Sequence, residues 1–164
     1  MKYARMGCYL SLIMGCLIGT SAFSLGVGDK LGDLSRFELE GEVPDLKGKV
    51  VLLDFWATWC GPCKESFPVM EKLQAEYGDQ GFVVLAVSVD EKAKAVEKWL
   101  EKMKSNISIV RDGQHALVNE AGIETMPTTF FIDRQGLIRS THNGFSRKHS
   151  EDIYRKELEA LLAE

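Results

Sequence analysis

Two cysteines separated by two residues are the part of this sequence best suited to chemistry. They stand in the segment Trp59-Cys60-Gly61-Pro62-Cys63, between an apolar run that predicts a strand and a pattern that predicts a helix. A cysteine at a helix N-terminus faces unpaired backbone N–H groups and the positive end of the helix dipole, which favours the thiolate. Cys60 is therefore the predicted nucleophile. Cys63 is the predicted resolving thiol, which attacks a mixed disulfide between Cys60 and a client.

A purely structural role fits this pair less well. A disulfide that closes so short a loop removes little entropy from the unfolded chain, so it is a weak staple. A zinc site would need two further ligands, and after residue 24 the chain has no other cysteine and only His115, His142 and His149. These histidines have no paired spacing, so we predict no metal site and assign them no role.

An acidic residue just before the cysteines is a further candidate. Asp54 interrupts the apolar run Val50–Trp56, which predicts a strand buried on both faces. Burial should raise the pKa of its carboxyl, and near Cys63 it would accept and return the proton of the resolving thiol. The alternative is a hydrogen bond from Asp54 to a neighbouring loop.

The elements that must position these residues alternate between strands and helices. Residues 25–48 lead in as a short hairpin, and after the first strand a helix from Pro62 ends before Gly78, with a kink at Pro68. The further predictions are strands at 82–89, 106–110, 128–133 and 137–141, helices after Asp90, over 114–121 and after Ser150, with Asp90 and Ser150 as N-caps. This order predicts an α/β fold with a largely parallel sheet covered on both faces and an antiparallel edge from the final hairpin.

The first 24 residues have the pattern of an export signal. Lys2 and Arg5 precede an apolar stretch from Cys8 to Ile18, and small residues follow. Cleavage after Ala22 or Ser24 is the favoured outcome, with an uncleaved membrane anchor or lipidation at Cys16 as alternatives. We expect an exported protein, in the bacterial periplasm or on the outer face of the cytoplasmic membrane, with one domain over residues 25–164.

Composition supports a folded domain and excludes one class of partner. The 164 residues are 45% hydrophobic and 27% charged, which is ordinary for a globular protein. Without residues 1–24, the chain keeps 18 basic and 24 acidic side chains, a net charge of −6. Scattered charge of this sign predicts no nucleic-acid partner.

Several segments together resemble the TlpA/ResA-like thiol-disulfide oxidoreductases of the thioredoxin superfamily. They are DFWATWCGPCK at 54–64, VVLAVSVD at 83–90 and MPTTFFIDRQG at 126–136, and the likeness extends over roughly residues 27–163. The resemblance implies a thioredoxin-like fold, a central mixed β-sheet flanked by helices, with a helix and a strand inserted between the CxxC helix and a cis-proline loop. It also implies that Pro127 is that cis-proline and lies beside the disulfide.

The same resemblance implies a client-binding surface around the cysteines. Met126 would offer its backbone to a client peptide, and Trp59, Gly61 and Pro62 would contact it. The sequence departs from the pattern at Ala86, where cytosolic thioredoxins place a lysine near the buried acid. It departs again after the second cysteine, where close relatives often have a glutamate three residues on; this chain has Ser66 there and Glu65 one place earlier.

We therefore expect an exported enzyme that mainly reduces disulfides or cysteines of client proteins by dithiol exchange. Gly-Pro between the cysteines favours a reducing couple, near the roughly −270 mV of thioredoxin, over a strong oxidant near −120 mV. Electrons would come from a membrane thiol-transfer reductant, and cytochrome c maturation is the pathway that the resemblance implies. We expect a monomer with no cofactor beyond the Cys60–Cys63 disulfide. The alternatives are a thiol peroxidase and a copper-delivering module that recruits His142.

Overall fold

A computed structural model describes residues 24–164 of the chain. The N-terminal predictions, including Cys8, Cys16 and cleavage after Ala22, lie outside the described residues. The elements in chain order are β1 (Val50–Trp56), α1 (Gly61–Tyr77), β2 (Phe82–Ser88), α2 (Ala93–Met103), β3 (Ser108–Arg111), α3 (Ala116–Glu120), β4 (Thr128–Ile132), β5 (Ile138–Asn143) and α4 (Ser150–Leu162), with 3-10 turns at Leu34–Arg36 and Gly78–Gln80. No helix within residues 24–164 is both long and apolar enough to cross a membrane.

The five strands form one mixed sheet in the order β3-β2-β1-β4-β5. β1 is parallel to β2 and antiparallel to β4, and β4 is antiparallel to β5. The prediction of a largely parallel sheet was wrong in extent, because antiparallel pairing begins at β4 and not only at the final hairpin. The alternation of strands and helices in the sequence does not reveal the direction of β4. That direction is set by its antiparallel pairing with β1, which is distant in the chain.

β1 is the centre of the core. All seven of its residues are buried, and its only polar side chain is that of Asp54. Its continuous run of β-branched, aliphatic and aromatic residues is what a strand covered on both faces requires. The aromatic rings of Trp56, Phe67 and Trp99 pack together on one face, with centroids 4.4–4.8 Å apart.

The lead-in segment is not the predicted hairpin. It contains one 3-10 turn, whose N-cap is Asp33, and two isolated bridges that pair Lys30 with Leu137 and Glu40 with Arg111. The short extended stretch near residue 40 therefore pairs with β3, through Glu40 and Arg111, and not with another part of the lead-in segment. The segment closes over the core instead of pairing with itself.

Two predicted helix caps were wrong. α2 begins at Ala93 with Lys92 at its N-cap, because the carboxylate of Asp90 is occupied elsewhere. Ser150 is the first residue of α4, not its cap, and its hydroxyl accepts a hydrogen bond from the backbone N–H of Ser146. The predicted insertion is present, since α2 and β3 lie between α1 and Pro127.

Candidate functional site

The two cysteines form a disulfide at the start of α1. Cys60 is the N-cap of the helix, and its Sγ accepts a hydrogen bond of 3.2 Å from the backbone N–H of Cys63. Cys60 is 6% exposed, whereas Cys63 is fully buried. The predicted nucleophile is thus the cysteine that solvent reaches, and it lies at the positive end of the helix dipole.

The loop before Cys60 is held by a carboxylate from the neighbouring strand end. Asp90 accepts hydrogen bonds from the backbone N–H and the hydroxyl of Thr58, at 2.8 and 2.6 Å. The hydroxyl of Ser88 donates to the same carboxylate at 2.8 Å. Asp90 therefore fixes the backbone two residues before Cys60. The sequence reasoning assigned Asp90 to a helix cap and missed this contact, for which the sequence carried no local signal.

The cis-proline lies at the same edge of the sheet as the disulfide. Phe55 near the end of β1 pairs with Thr128 at the start of β4, so the residues after β1 and before β4 meet there. The Met126–Pro127 peptide is cis, as the resemblance implied. Pro127 is buried and Met126 is half-buried. Their contact with a client stays a prediction.

The surface beside the disulfide is apolar and accessible. Trp59 is 70% exposed, and Gly61 and Pro62 are exposed as well. Trp56, three residues before Trp59, is fully buried, which confirms the interpretation of Trp56 as a core residue. An exposed aromatic side chain of this size is a common feature of protein interaction surfaces, and the contact of Trp59, Gly61 and Pro62 with a client stays a prediction.

Asp54 is fully buried in β1, with one hydrogen bond. Its Oδ1 accepts from the hydroxyl of Thr129 at 2.6 Å, and its Oδ2 has no hydrogen-bond partner among residues 24–164. Burial raises the pKa of Asp54 to about 7, although the bond from Thr129 acts in the opposite direction. Its partner lies on the adjacent strand β4, so the alternative of a bond to a neighbouring loop was wrong.

The three residues at which the sequence departs from the family pattern, Ala86, Ser66 and Glu65, make defined contacts in the structure. Ala86 is the β2 neighbour of Asp54 and is buried, so β2 offers no cation to this carboxyl there. Ser66 is buried and donates to the carbonyl of Cys63 at 2.7 Å. Glu65 instead forms an ion pair with the exposed Arg147 at 2.7 Å.

Two of the three histidines have polar partners other than the cysteines. His115 contacts the carbonyl of Val89 at 2.9 Å, and His142 pairs with Glu157 at 2.9 Å. Within the described part of the chain, no group of three or more His, Cys, Asp or Glu side chains is arranged to hold a metal ion.

The strand order and the placement of the disulfide and cis-proline at one edge are those of a thioredoxin-like thiol-disulfide oxidoreductase. The comparisons agree with this class. The chain belongs to the Redoxin family, which matches residues 28–162. It is 37% identical over 145 residues to the thiol-disulfide oxidoreductase ResA of Geobacillus thermodenitrificans, covering 87% of this chain and 82% of that protein.

Two solved structures extend the likeness to three dimensions. A Chlorobium tepidum protein described as the thiol:disulfide interchange protein DsbE is 38% identical with a TM-score of 0.78, over 85% of this chain and 99% of that one. The exposed lipoprotein thioredoxin Etrx1 of Streptococcus pneumoniae is 31% identical with a TM-score of 0.66, over 76% of this chain and 98% of that one. The chain is thus an oxidoreductase of the thioredoxin-like fold that acts on clients with disulfides or cysteines.

Proposed function

We propose that this enzyme is exported and works mainly as a reductant of client proteins, with Cys60 as nucleophile and Cys63 as resolving thiol. The observation that carries the proposal is the Cys60–Cys63 disulfide at the N-terminus of α1, with Cys60 the more exposed of the two cysteines at 6%. Gly61 and Pro62 between the cysteines support a reducing couple. Residues 1–24 act as signal peptide or anchor. The exposed lipoprotein thioredoxin among the relatives supports export.

The reaction needs only the two thiols and a proton acceptor. The Cys60 thiolate attacks a client disulfide, one client thiolate leaves, and a mixed disulfide between Cys60 and the client forms. Cys63 then gives its proton to Asp54, and its thiolate attacks the sulfur of Cys60. The second client thiolate leaves and the Cys60–Cys63 disulfide returns. Overall, the client gains two electrons and two protons. The enzyme dithiol loses two electrons and two protons, one proton when Cys60 ionises and one from Cys63 through Asp54.

This cycle requires a surface that binds the client and a donor that returns electrons to the cysteines. Trp59, Gly61, Pro62 and the Met126–Pro127 loop bind the client segment around its cysteine. A membrane thiol-transfer protein restores the dithiol, since an oxidising compartment supplies no such electrons. The ResA-like resemblance supports apocytochrome c cysteines as one client class. The enzyme acts as a monomer, and no cofactor beyond the disulfide takes part.

The proposal is tested by the potential of the Cys60–Cys63 couple and by client trapping. We expect a potential near about −270 mV, together with reduction of insulin disulfides. A potential near that of strong oxidants, about −120 mV, would reject the reducing direction.

Trapping in cells identifies the clients. Cys63→Ser should leave clients covalently attached to Cys60, and Cys60→Ser/Cys63→Ser is the matched control that should trap none. If no mixed disulfides accumulate while the wild type binds copper tightly, the copper-delivering alternative replaces the proposal.

A further inference from the structure

Two buried hydroxyl groups form a chain that ends on one oxygen of Asp54. The hydroxyl of Thr129 on β4 donates to Oδ1 of Asp54 at 2.6 Å, and the hydroxyl of Tyr154 on α4 lies 3.0 Å from Thr129 Oγ1. Thr129 is fully buried and Tyr154 is 1% exposed. Neither residue takes part in the thiol chemistry. Thr129 contacts the proposed proton acceptor Asp54 directly, and Tyr154 is connected to it through Thr129.

Counting protons gives the chain a direction. A threonine hydroxyl has one proton, which Thr129 donates to Asp54, so the bond between Thr129 and Tyr154 requires the tyrosine to be the donor. Burial holds the pKa of Tyr154 above its usual range, which keeps this hydroxyl protonated. The order of donation is therefore Tyr154 to Thr129 to Asp54 Oδ1, and each bond strengthens the next.

The two oxygens of Asp54 differ as a result. Oδ1 lies at the end of this chain, whereas Oδ2 has no hydrogen-bond partner among the described residues. A proton on Oδ1 would reverse the bond between Thr129 and Asp54. It would leave the hydroxyl proton of Thr129, or that of Tyr154 if their bond reverses as well, without an acceptor in this hydroxyl chain, while a proton on Oδ2 leaves both bonds intact. We infer that Thr129 and Tyr154 are positioning residues for Asp54, which hold Oδ1 as an acceptor and leave Oδ2 as the oxygen that takes up and returns the proton. This inference rests on the proposed role of Asp54.

Few other ionisable groups face Asp54. β2 presents Ala86 and β4 presents Thr129, neither of which titrates. α1 carries the Cys60–Cys63 pair, which does not titrate while oxidised. Among the other ionisable residues of α4, Glu157 acts on the pKa of Tyr154 and is paired with His142 of β5, and none acts on the pKa of Asp54 itself. The hydroxyl chain is thus the main polar influence on this carboxyl.

Infrared spectroscopy of the purified oxidised protein tests the inference directly. The C=O stretching band of protonated Asp54 is identified by its absence in Asp54→Asn, and its titration gives the pKa. With Oδ1 as the hydrogen-bonded C=O group, Thr129→Val should move the band to higher frequency. It should also raise the pKa of Asp54 by about one to two units, since a donor to the charged form is lost.

Two variants separate the links of the chain. Thr129→Ser keeps the hydroxyl and should retain the wild-type band and pKa. Tyr154→Phe removes only the second donor and should raise the pKa less than Thr129→Val does. If Thr129→Val does not fold, the Tyr154→Phe and Thr129→Ser pair still decides the question.

The inference is overturned if neither the band nor the pKa moves in Thr129→Val, or in Tyr154→Phe where the valine variant is lost. These spectra need no turnover, so they are independent of the role of Asp54 in catalysis. That role is tested separately by the pH dependence of client release in Asp54→Asn. An unchanged profile there would reject the proposed base, whatever the spectra give.

Discussion

Two buried carboxyl groups toward opposite ends of the β1–β4 pair have pKa values shifted in opposite directions. Asp54, toward the disulfide, accepts one hydrogen bond and has a raised pKa of about 7. Asp133, just after β4, accepts from the backbone N–H groups of Gln135 and Leu137 and from the guanidinium of Arg139, at 2.9, 2.9 and 3.1 Å. Burial alone would raise the pKa of Asp133, but these donors outweigh it and the pKa is lowered.

Both side chains are at most 3% exposed, but two things differ between them. Asp133 has three donors, one of them the cationic Arg139, whereas Asp54 has a single donor and lies inside the fully buried central strand. A carboxylate with enough donors stays ionised and fixes a turn. A carboxylate with too few donors holds its proton near neutral pH and can exchange it. The same residue type thus stabilises one end of the sheet and is suited to proton transfer at the other.

The largest expected effect is on the pH dependence of stability. The folded protein holds the Asp54 proton up to about pH 7, against a usual pKa of 3.8. The contribution of Asp54 to stability is therefore greatest below about pH 4 and is lost as pH rises through 7. Asp54→Asn lacks this loss. Between pH 4 and 8 its free energy of unfolding should gain roughly 3–4 kcal/mol relative to wild type.

Chemical denaturation of the oxidised protein across this pH range measures the effect. Asp133→Asn is the control, because a lowered pKa gives stability that is lost only as pH falls through the folded pKa, below the usual 3.8. Equal slopes for wild type and Asp54→Asn between pH 4 and 8 would contradict the comparison.

The second effect is on catalysis. If Asp54 takes the proton of Cys63, Asp54→Asn should slow the release of client from the mixed disulfide by about 100-fold, the lower range for a general base. Asp133→Asn, at the far end of the sheet, should release client at the wild-type rate. Rapid-mixing kinetics with a fluorescent peptide disulfide measure both. A comparable slowing in the two variants would mean that donor number does not separate their roles.

The third effect is on the turn at the far end. Asp133→Ala leaves the N–H groups of Gln135 and Leu137 without their acceptor, so stability at pH 7 should fall by about 2 kcal/mol. Asp133→Asn keeps one acceptor oxygen and should lose less. Denaturant unfolding gives both values, and insulin reduction by the folded protein should be unchanged. An alanine variant as stable as wild type would show that the turn does not depend on this carboxylate.

The sequence predicted the chemistry of the site better than the contacts that tune it. The bounds of β1 and the strand-to-helix position of Cys60 follow from local apolar runs and from Pro62 in the first helical turn. Thr129 and the true role of Asp90 were missed. Their partners lie 75 and 32 residues away in the chain, and a pairing register over such distances leaves no local pattern.

The smallest expected effect concerns a third carboxylate. Asp90 lies at the disulfide edge but, like Asp133, it is fully supplied with donors, from Thr58 and Ser88. If donor number decides the role, Asp90 is structural despite its position. Thr58→Val removes one of its donors and keeps the backbone N–H bond, so stability should fall by about 1 kcal/mol.

Thr125→Val is the matched control at the same edge, because the hydroxyl of Thr125 makes only long contacts of 3.4–3.5 Å. It should leave stability within about 0.5 kcal/mol of wild type. Thr58→Val should also lower insulin reduction only a few-fold and without changing its pH profile, since the loop before Cys60 loosens while the proton acceptor is untouched. A shifted profile would mean that Asp90 exchanges protons during turnover. The role of a buried carboxylate in this fold would then depend on its position near the disulfide and not on its number of donors.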